Sequence, residues 1–281
     1  MLQIIKNHCI TQPQIDIHRI QRNKMKTNFC KLCGLLKPIC KSHAIPNSIF
    51  KSLFRENSGK GITLSDIKDQ SIEYSSDSLA DDLLCSDCES QLNRNFDAYG
   101  LDLFRGHHKD VKIIKLDDVV VFRGFIPDKI NGFLLSILWR AAISNHPVYS
   151  KIKTILSLDD IHILHDLSRS INTNKLKKFS IRIKRLNDKT GGFTESSFRG
   201  LIVPPFIRHK EAGISICFSF LGYLFEIFVK IHNKSIKKSL GTLSNSTNIT
   251  IPKIEISEIP EIFQLFVQNY GKYHNGLSNI K

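Results

Sequence analysis

Two cysteine pairs stand out in this sequence. Cys30-Lys31-Leu32-Cys33 and Cys85-Ser86-Asp87-Cys88 each place two thiols one tight turn apart. Four thiolates supplied by two such turns make a tetrahedral sulfur site, which suits Zn²⁺, a borderline-soft ion with no electronic preference against that geometry. Gly34, directly after the first pair, and the polar Ser86-Asp87 inside the second fit the turns required. The seven cysteines, at 9, 30, 33, 40, 85, 88 and 217, are an odd number in a chain without an export signal, so reduced thiols are expected and a disulfide framework is not. Cys9, Cys40 and Cys217 read as buried thiols, with Cys40 close enough in sequence to act as a spare ligand. The alternative, two unrelated buried or redox pairs, requires two C-x-x-C spacings to coincide by chance.

Between the pairs lies Lys41-Ser42-His43-Ala44-Ile45-Pro46, and Leu83-Leu84 precedes the second pair, from which a helix is expected over Glu89 to about Tyr99. Over residues 28–100 this order resembles the zinc-containing HNH endonucleases of the ββα-metal, or treble-clef, group. In that family a C-x-x-C knuckle is followed by an Asp-His pair and a nearby Pro, then by a Leu-Cys-x-x-Cys knuckle opening a helix. The resemblance implies a structural zinc on Cys30, Cys33, Cys85 and Cys88, and His43 as the general base that activates water. It also implies a second divalent ion, Mg²⁺ or Mn²⁺, at His43 and Glu89 to stabilise phosphorane charge. The sequence departs from the pattern in three places. Ser42 stands where the family has a metal-ligand Asp, Glu89 where it has His or Asn, and Ala80-Asp81-Asp82 where an Asn is expected. Glu89 would restore a carboxylate to the site, with Asp81 or Asp82 as a further oxygen ligand. Equally, Glu89 fits a helix N-terminal acid favoured by the helix dipole, and His43 fits a neutral brace bonded to backbone. The two motifs are also similar to a group of bacterial HNH-like proteins with a Trp-Arg helix downstream, matched by Leu138-Trp139-Arg140. Some of those sit in phage-defence neighbourhoods, which implies an antiviral role.

The rest of the chain must position these residues. Its 281 residues are 41% hydrophobic and 23% charged, the composition of a folded protein. No apolar run reaches the roughly 18–20 residues that span a bilayer, since residues 133–139 are too few and Glu226 interrupts 221–229. The first 29 residues carry Lys6, Arg19, Arg22, Lys24 and Lys26 but no apolar core, so a secretory signal is not expected and a cytoplasmic location is. With 40 basic and 26 acidic side chains the formal charge is +14, and polyanions are the expected partners, which charge alone does not narrow to nucleic acid; the resemblance implies DNA ahead of RNA. Lys41, Lys51 and Arg55 are basic positions near the knuckles. A second set lies in the run from Lys175 to Lys189, where Ile181 and Ile183 alternate with Arg182 and Lys184. An amphipathic strand there would bury the isoleucines and point Arg182, Lys184 and neighbouring Arg185 at nucleic acid. A solvated edge strand whose lysines block aggregation is the other reading.

The expected organisation is a basic extension over 1–27, a zinc-binding HNH-like module over 28–105 with an inserted loop near 57–80, and an α+β domain over 106–281. The fold class is therefore α+β: a zinc-stabilised treble-clef/HNH-like N-terminal module followed by a mixed α+β domain. Strands are expected near 111–114 and 119–122, and a helix over 129–144 with Trp139 packed inside. A helix capped by Ser157 should reach about Ser170, a hairpin should pair 214–220 with 224–231, and a closing helix should cover 259–270. Residues 237–250, rich in Ser, Asn and Thr, read as a mobile connection. No repeat, phosphate-cradling glycine loop, nucleophile elbow or Ser/His/Asp arrangement is present. The resemblance implies a metal-dependent endonuclease acting on DNA, with a role in antiphage defence. The alternative is a catalytically decayed zinc-knuckle module that binds nucleic acid or docks a partner protein in a larger complex.

Overall fold

Alternating apolar residues and turn-forming glycines produce twelve strands and eight α-helices in the computed structural model, which describes residues 27–64 and 68–279. Cys9 and all of the expected N-terminal extension except Thr27 lie outside the described residues. The chain opens with β1 (Thr27–Phe29), β2 (Leu36–His43) and α1 (Asn47–Glu56). The stretch expected as an inserted loop holds a short hairpin, β3 (Gly61–Thr63) and β4 (Glu73–Ser75), before β5 (Ala80–Cys85) runs into α2 (Ser86–Leu92). A π-type turn over Asn93–Asp97 leads directly into α3 (Ala98–Arg105), so the helix begins earlier and ends later than expected. It stops at Gly106, whose φ of 79° lets the amides of Gly106 and His107 cap the carbonyls of Leu103 and Asp102.

Then follow β6 (Lys112–Lys115), β7 (Val119–Arg123), α4 (Pro127–Ile143), a 3₁₀ segment over Pro147–Thr154, α5 (Leu158–Arg169) and α6 (Thr173–Leu176). Pro127 fixes the first turn of α4, and the Ser157–Asp160 capping box starts α5 as the sequence predicts. The remainder is β8 (Ser180–Asn187), α7 (Glu195–Arg199), β9 (Val203–Lys210), β10 (Gly213–Phe220), β11 (Tyr223–Ile231), β12 (Asn248–Glu255) and α8 (Pro260–His274). The fold is mixed α+β, with a four-cysteine cluster in its first part.

Strands β1, β2 and β5 form an antiparallel sheet beside the cysteines, and seven strands form the main sheet in the order β6-β7-β12-β8-β11-β10-β9. All neighbours in the main sheet are antiparallel except β12 and β8. One face carries Val120, Phe122, Ile181, Ile183, Phe218 and Phe225 into a core shared with α4 and with Cys30, Leu84 and Cys88 of the zinc-motif half. The other face buries Leu186, Cys217, Leu224 and Ile254 with Ile259 and Ile262 at the start of α8. Helix α4 is buried from Ile130 to Ala142 and apolar on most faces; Trp139 is packed there as expected.

Two glycines set the closest helix contact. A Cβ on Gly100 of α3 would lie 2.3 Å from the Phe133 ring of α4, and one on Gly132 of α4 would lie 2.2 Å from Phe96. Helix α3 takes a ring from α4, and α4 takes one from the π-type turn that leads into α3.

The structure corrects two local expectations. Strand β8 is an interior strand between β12 and β11, not an edge, because the late strand β12 returns beside it. The connection after Lys237 is pinned to the sheet as well: Ile183 N–H donates to Gly241 O at 2.8 Å and Leu243 N–H to Ile181 O at 2.8 Å. Gly241, at φ 81°, is needed for that approach, since a Cβ would sit 2.2 Å from the Ile183 carbonyl oxygen.

Candidate metal centre

The first knuckle is the turn between β1 and β2. Cys30 N–H donates to Leu35 O at 2.9 Å and Gly34 N–H to Cys30 O at 2.8 Å, with Gly34 at φ 73°. The second knuckle joins the end of β5 to the first turn of α2, which brings Cys85 and Cys88 together. Lys31 N–H to Leu83 O at 3.0 Å and Cys85 N–H to Cys30 Sγ at 3.3 Å join the two knuckles. The four sulfurs all lie within 4.8 Å of one another. A zinc–sulfur distance of about 2.3 Å sets sulfur–sulfur edges of about 3.8 Å in a tetrahedron, so this donor set can hold a metal ion such as zinc.

Burial raises the Cys30 thiol, but hydrogen bonds from the backbone of Cys33, Cys85 and Leu32 outweigh it and bring its pKa down to about 7. Burial and the neighbouring thiols push Cys88 up. Cys40 is not part of the cluster; it sits half-buried on β2, and Cys217 is fully buried in the main sheet.

His165, on α5, was not singled out in the sequence. Its Nε2 lies 2.9 Å from the Leu32 carbonyl oxygen inside the first knuckle, and its ring meets Trp139 edge-on at 5.6 Å. No local pattern marks a histidine so far from the cysteines in sequence.

Beside the cysteines, Ser42 of β2 lies against Glu89 of α2, and the charge of Arg140 on α4 acts on both Glu89 and His43. His43 Nε2 lies 2.9 Å from Ser78 Oγ. Burial, then the positive charges of Arg140 and Lys51, hold its pKa down at about 4 against the opposing pull of Asp77, so the ring is neutral at pH 7. Burial raises the Glu89 carboxyl, opposed by Arg140 and Ser42. Its Oε1 is buried and has no hydrogen-bond partner among the described residues, as is true of the Tyr149 hydroxyl. Ser42 is buried and accepts the Leu84 N–H at 3.1 Å, restoring a link between β2 and β5 where a bulge at Cys40–Lys41 shifts their register.

The two acids expected as further oxygen ligands are engaged elsewhere. Asp81 accepts from Ser144 Oγ at 3.0 Å and from the Asn145 amide, and Asp82 pairs with Lys41 at 3.0 Å. Among the described residues, the four cysteines are the one group arranged to hold a metal ion.

The basic candidates divide into two kinds. Lys51 and Arg55 are exposed on α1 and have no ion-pair partner among the described residues, whereas Lys41 is held by Asp82. The expected outward row on β8 is corrected. Arg182 is locked to the buried Glu226 at 2.6 Å, and Arg185 is buried against the Tyr223 ring while donating to Leu221 O and Glu195. Burial, then the charge of Arg182, lowers the Lys184 amine to about 8. Both faces of β8 are covered, so Arg182 and Arg185 are committed to partners inside the protein, Glu226 on β11 for the first and Leu221 O and Glu195 for the second.

Compared with protein-family models, curated proteins and solved structures, the chain matches none. No helix among the described residues is long and apolar enough to cross a membrane.

Proposed function

We propose that the chain is a zinc-ordered, HNH-like nucleic-acid-binding protein whose ligand is DNA. One observation carries this reading: the strand that leaves the first cysteine knuckle delivers, within a short turn after His43, a helix whose exposed Lys51 and Arg55 lack carboxylate partners among the described residues. Phosphate affinity needs only such charge and positioned donors. The commitment of Asp81 and Asp82 to internal partners favours binding over cleavage.

Endonuclease activity is the second reading; the buried Glu89 Oε1, without a hydrogen-bond partner among the described residues, and the neutral His43 favour it. A divalent ion held by Glu89 would satisfy that oxygen and supply charge stabilisation for phosphodiester hydrolysis, while neutral His43 accepts a proton from water. An antiphage role rests on the resemblance alone.

The test measures zinc content, then anisotropy of labelled duplex DNA and RNA between about 50 and 200 mM salt, where phosphate-driven binding weakens steeply. Cleavage is followed with Mg²⁺ or Mn²⁺. Zinc-loaded protein that binds DNA without cutting it supports the module reading. Cutting that disappears in His43→Ala with affinity and zinc retained supports the endonuclease. Absence of binding to either polymer overturns both.

A further inference from the structure

One cleft, of about 820 Å³, joins α1 to the second half of the chain. Lys51 and Arg55 line one wall. Arg199, at the end of α7, and Arg105, at the end of α3, line the other side together with His107. The two guanidiniums are tied in series: Arg199 Nη2 donates to the Arg105 carbonyl at 3.2 Å, and Arg105 Nη2 donates to Ser48 Oγ at 3.1 Å and Ser48 O at 3.2 Å. Each therefore uses one nitrogen for positioning and keeps further N–H donors.

None of Lys51, Arg55, Arg105 and Arg199 forms an ion pair with a carboxylate among the described residues. Glu195, near Arg199, is taken by Lys115 and Arg185, each at 2.9 Å. The single acid in the lining is Glu56, which accepts from Ser52 Oγ at 3.3 Å. Four cations gathered with so little compensation repel one another, and an anion with several oxygens relieves that repulsion. Guanidinium forks match phosphate oxygens in bidentate geometry, and the serine hydroxyls in the lining add donors of the same kind. The lining holds no Phe, Tyr or Trp on which a base could stack. A site of this composition takes the backbone of a nucleic acid and leaves its bases unread.

We infer that the cleft between α1 and the α7–β9 segment is a phosphate track for the phosphodiester backbone of DNA, with Arg105 and Arg199 as binding residues contributed from outside the cysteine motif. The inference rests on the nucleic-acid-binding reading above and adds a location and a mode, sequence-independent contact. It makes the two halves of the chain share one ligand.

The test compares wild type with Lys51→Gln/Arg199→Gln, both exposed positions, using two unrelated duplexes and a salt series. Loss of two phosphate contacts should lower the log–log salt slope by about 1.8 and weaken both duplexes by the same factor. Arg199→Lys, which keeps charge but loses the fork, should recover part of the affinity. Zinc content and thermal melting of each variant must match wild type; if they do not, Arg55→Gln/Arg199→Gln is measured in its place. Wild-type binding with an unchanged slope in a folded double variant overturns the track and leaves the nucleic-acid reading standing. Losses that depend on base sequence, or displacement of DNA by equimolar inorganic pyrophosphate, overturn the backbone mode. No binding by wild type overturns both readings.

Discussion

Arg140 and Asp97 meet as a buried bidentate pair: the two terminal nitrogens of Arg140 lie 2.9 and 2.8 Å from the two carboxylate oxygens of Asp97. The arginine comes from α4 and the aspartate from the π-type turn that follows the second knuckle, so the pair joins the cysteine half to the helix at the centre of the fold. Arg140 Nε also donates to Ser136 O at 3.2 Å, and its charge extends to Glu89 and His43.

Removing one partner strands the other charge in an apolar surrounding. Asp97→Ala should cost about 3–5 kcal/mol, read by urea unfolding. Asp97→Asn, which keeps the shape but not the charge, should cost less than the alanine variant. Near-wild-type stability for Asp97→Ala would mean that Glu89 takes over Arg140.

One zinc per chain is expected by elemental analysis, held by Cys30, Cys33, Cys85 and Cys88. The sheet β1-β2-β5 is small, and metal binding supplies folding free energy that so small a segment cannot draw from its own core. Cys85→Ser, or chelation under denaturing cycles, should lower the melting temperature and open residues 28–105 to protease. Unchanged melting and digestion in Cys85→Ser would remove zinc from the account of folding.

His43 gives a pH dependence with a definite sign. Its pKa is about 4 in the folded chain, set by burial first and then by Arg140 and Lys51, against about 6.5 for a free imidazole. Between those values the unfolded chain binds more protons, so stability present above about pH 6.5 is lost as pH falls toward 4. His43→Gln should flatten this part of the stability profile measured by urea titration at fixed salt. An unaltered slope would assign the proton uptake to other groups.

Gly132→Ala tests the reciprocal helix contact. Helix propensity alone favours alanine by about 1 kcal/mol, but the added methyl would lie 2.2 Å from the Phe96 ring. Overpacking of this kind costs about 1–3 kcal/mol, so a net loss of thermal stability is expected. A stabilised variant would show that Phe96 swings aside freely.

The metal centre was legible in the sequence because each ligand pair is local: two C-x-x-C turns need no knowledge of the fold. Strands β10 and β11 were legible for the same reason, joined by a tight turn at Leu221-Gly222 whose residues have φ of 53° and 78°. What failed was what depends on strand order. Nothing near residue 182 announces that β12, some seventy positions later in the chain, will close over β8, so a row of bases was read as solvent-facing when Glu226 waits on the next strand. The Asp97–Arg140 pair was half visible. An arginine inside so apolar a helix requires a buried acid, yet the sequence does not say which. His43 and Glu89 stand out by their positions beside the knuckles, but the contact of His43 with Ser78 and the burial of Glu89 Oε1 are products of tertiary packing.

The interlocked rings of Phe96 and Phe133 bear on how the molecule breathes. Because Phe133 of α4 occupies the notch at Gly100 of α3, and Phe96 of the turn that leads into α3 occupies the notch at Gly132 of α4, the two helices cannot slide past each other without displacing a ring. Amides of α3 therefore exchange with solvent only through an opening that also releases α4 and uncovers the main sheet, as one subglobal unit. A protease that nicks the exposed turn at Asn57–Gly59 will leave both fragments associated, since β2 of the first pairs with β5 of the second and Cys30 and Cys33 meet Cys85 and Cys88 across the cut.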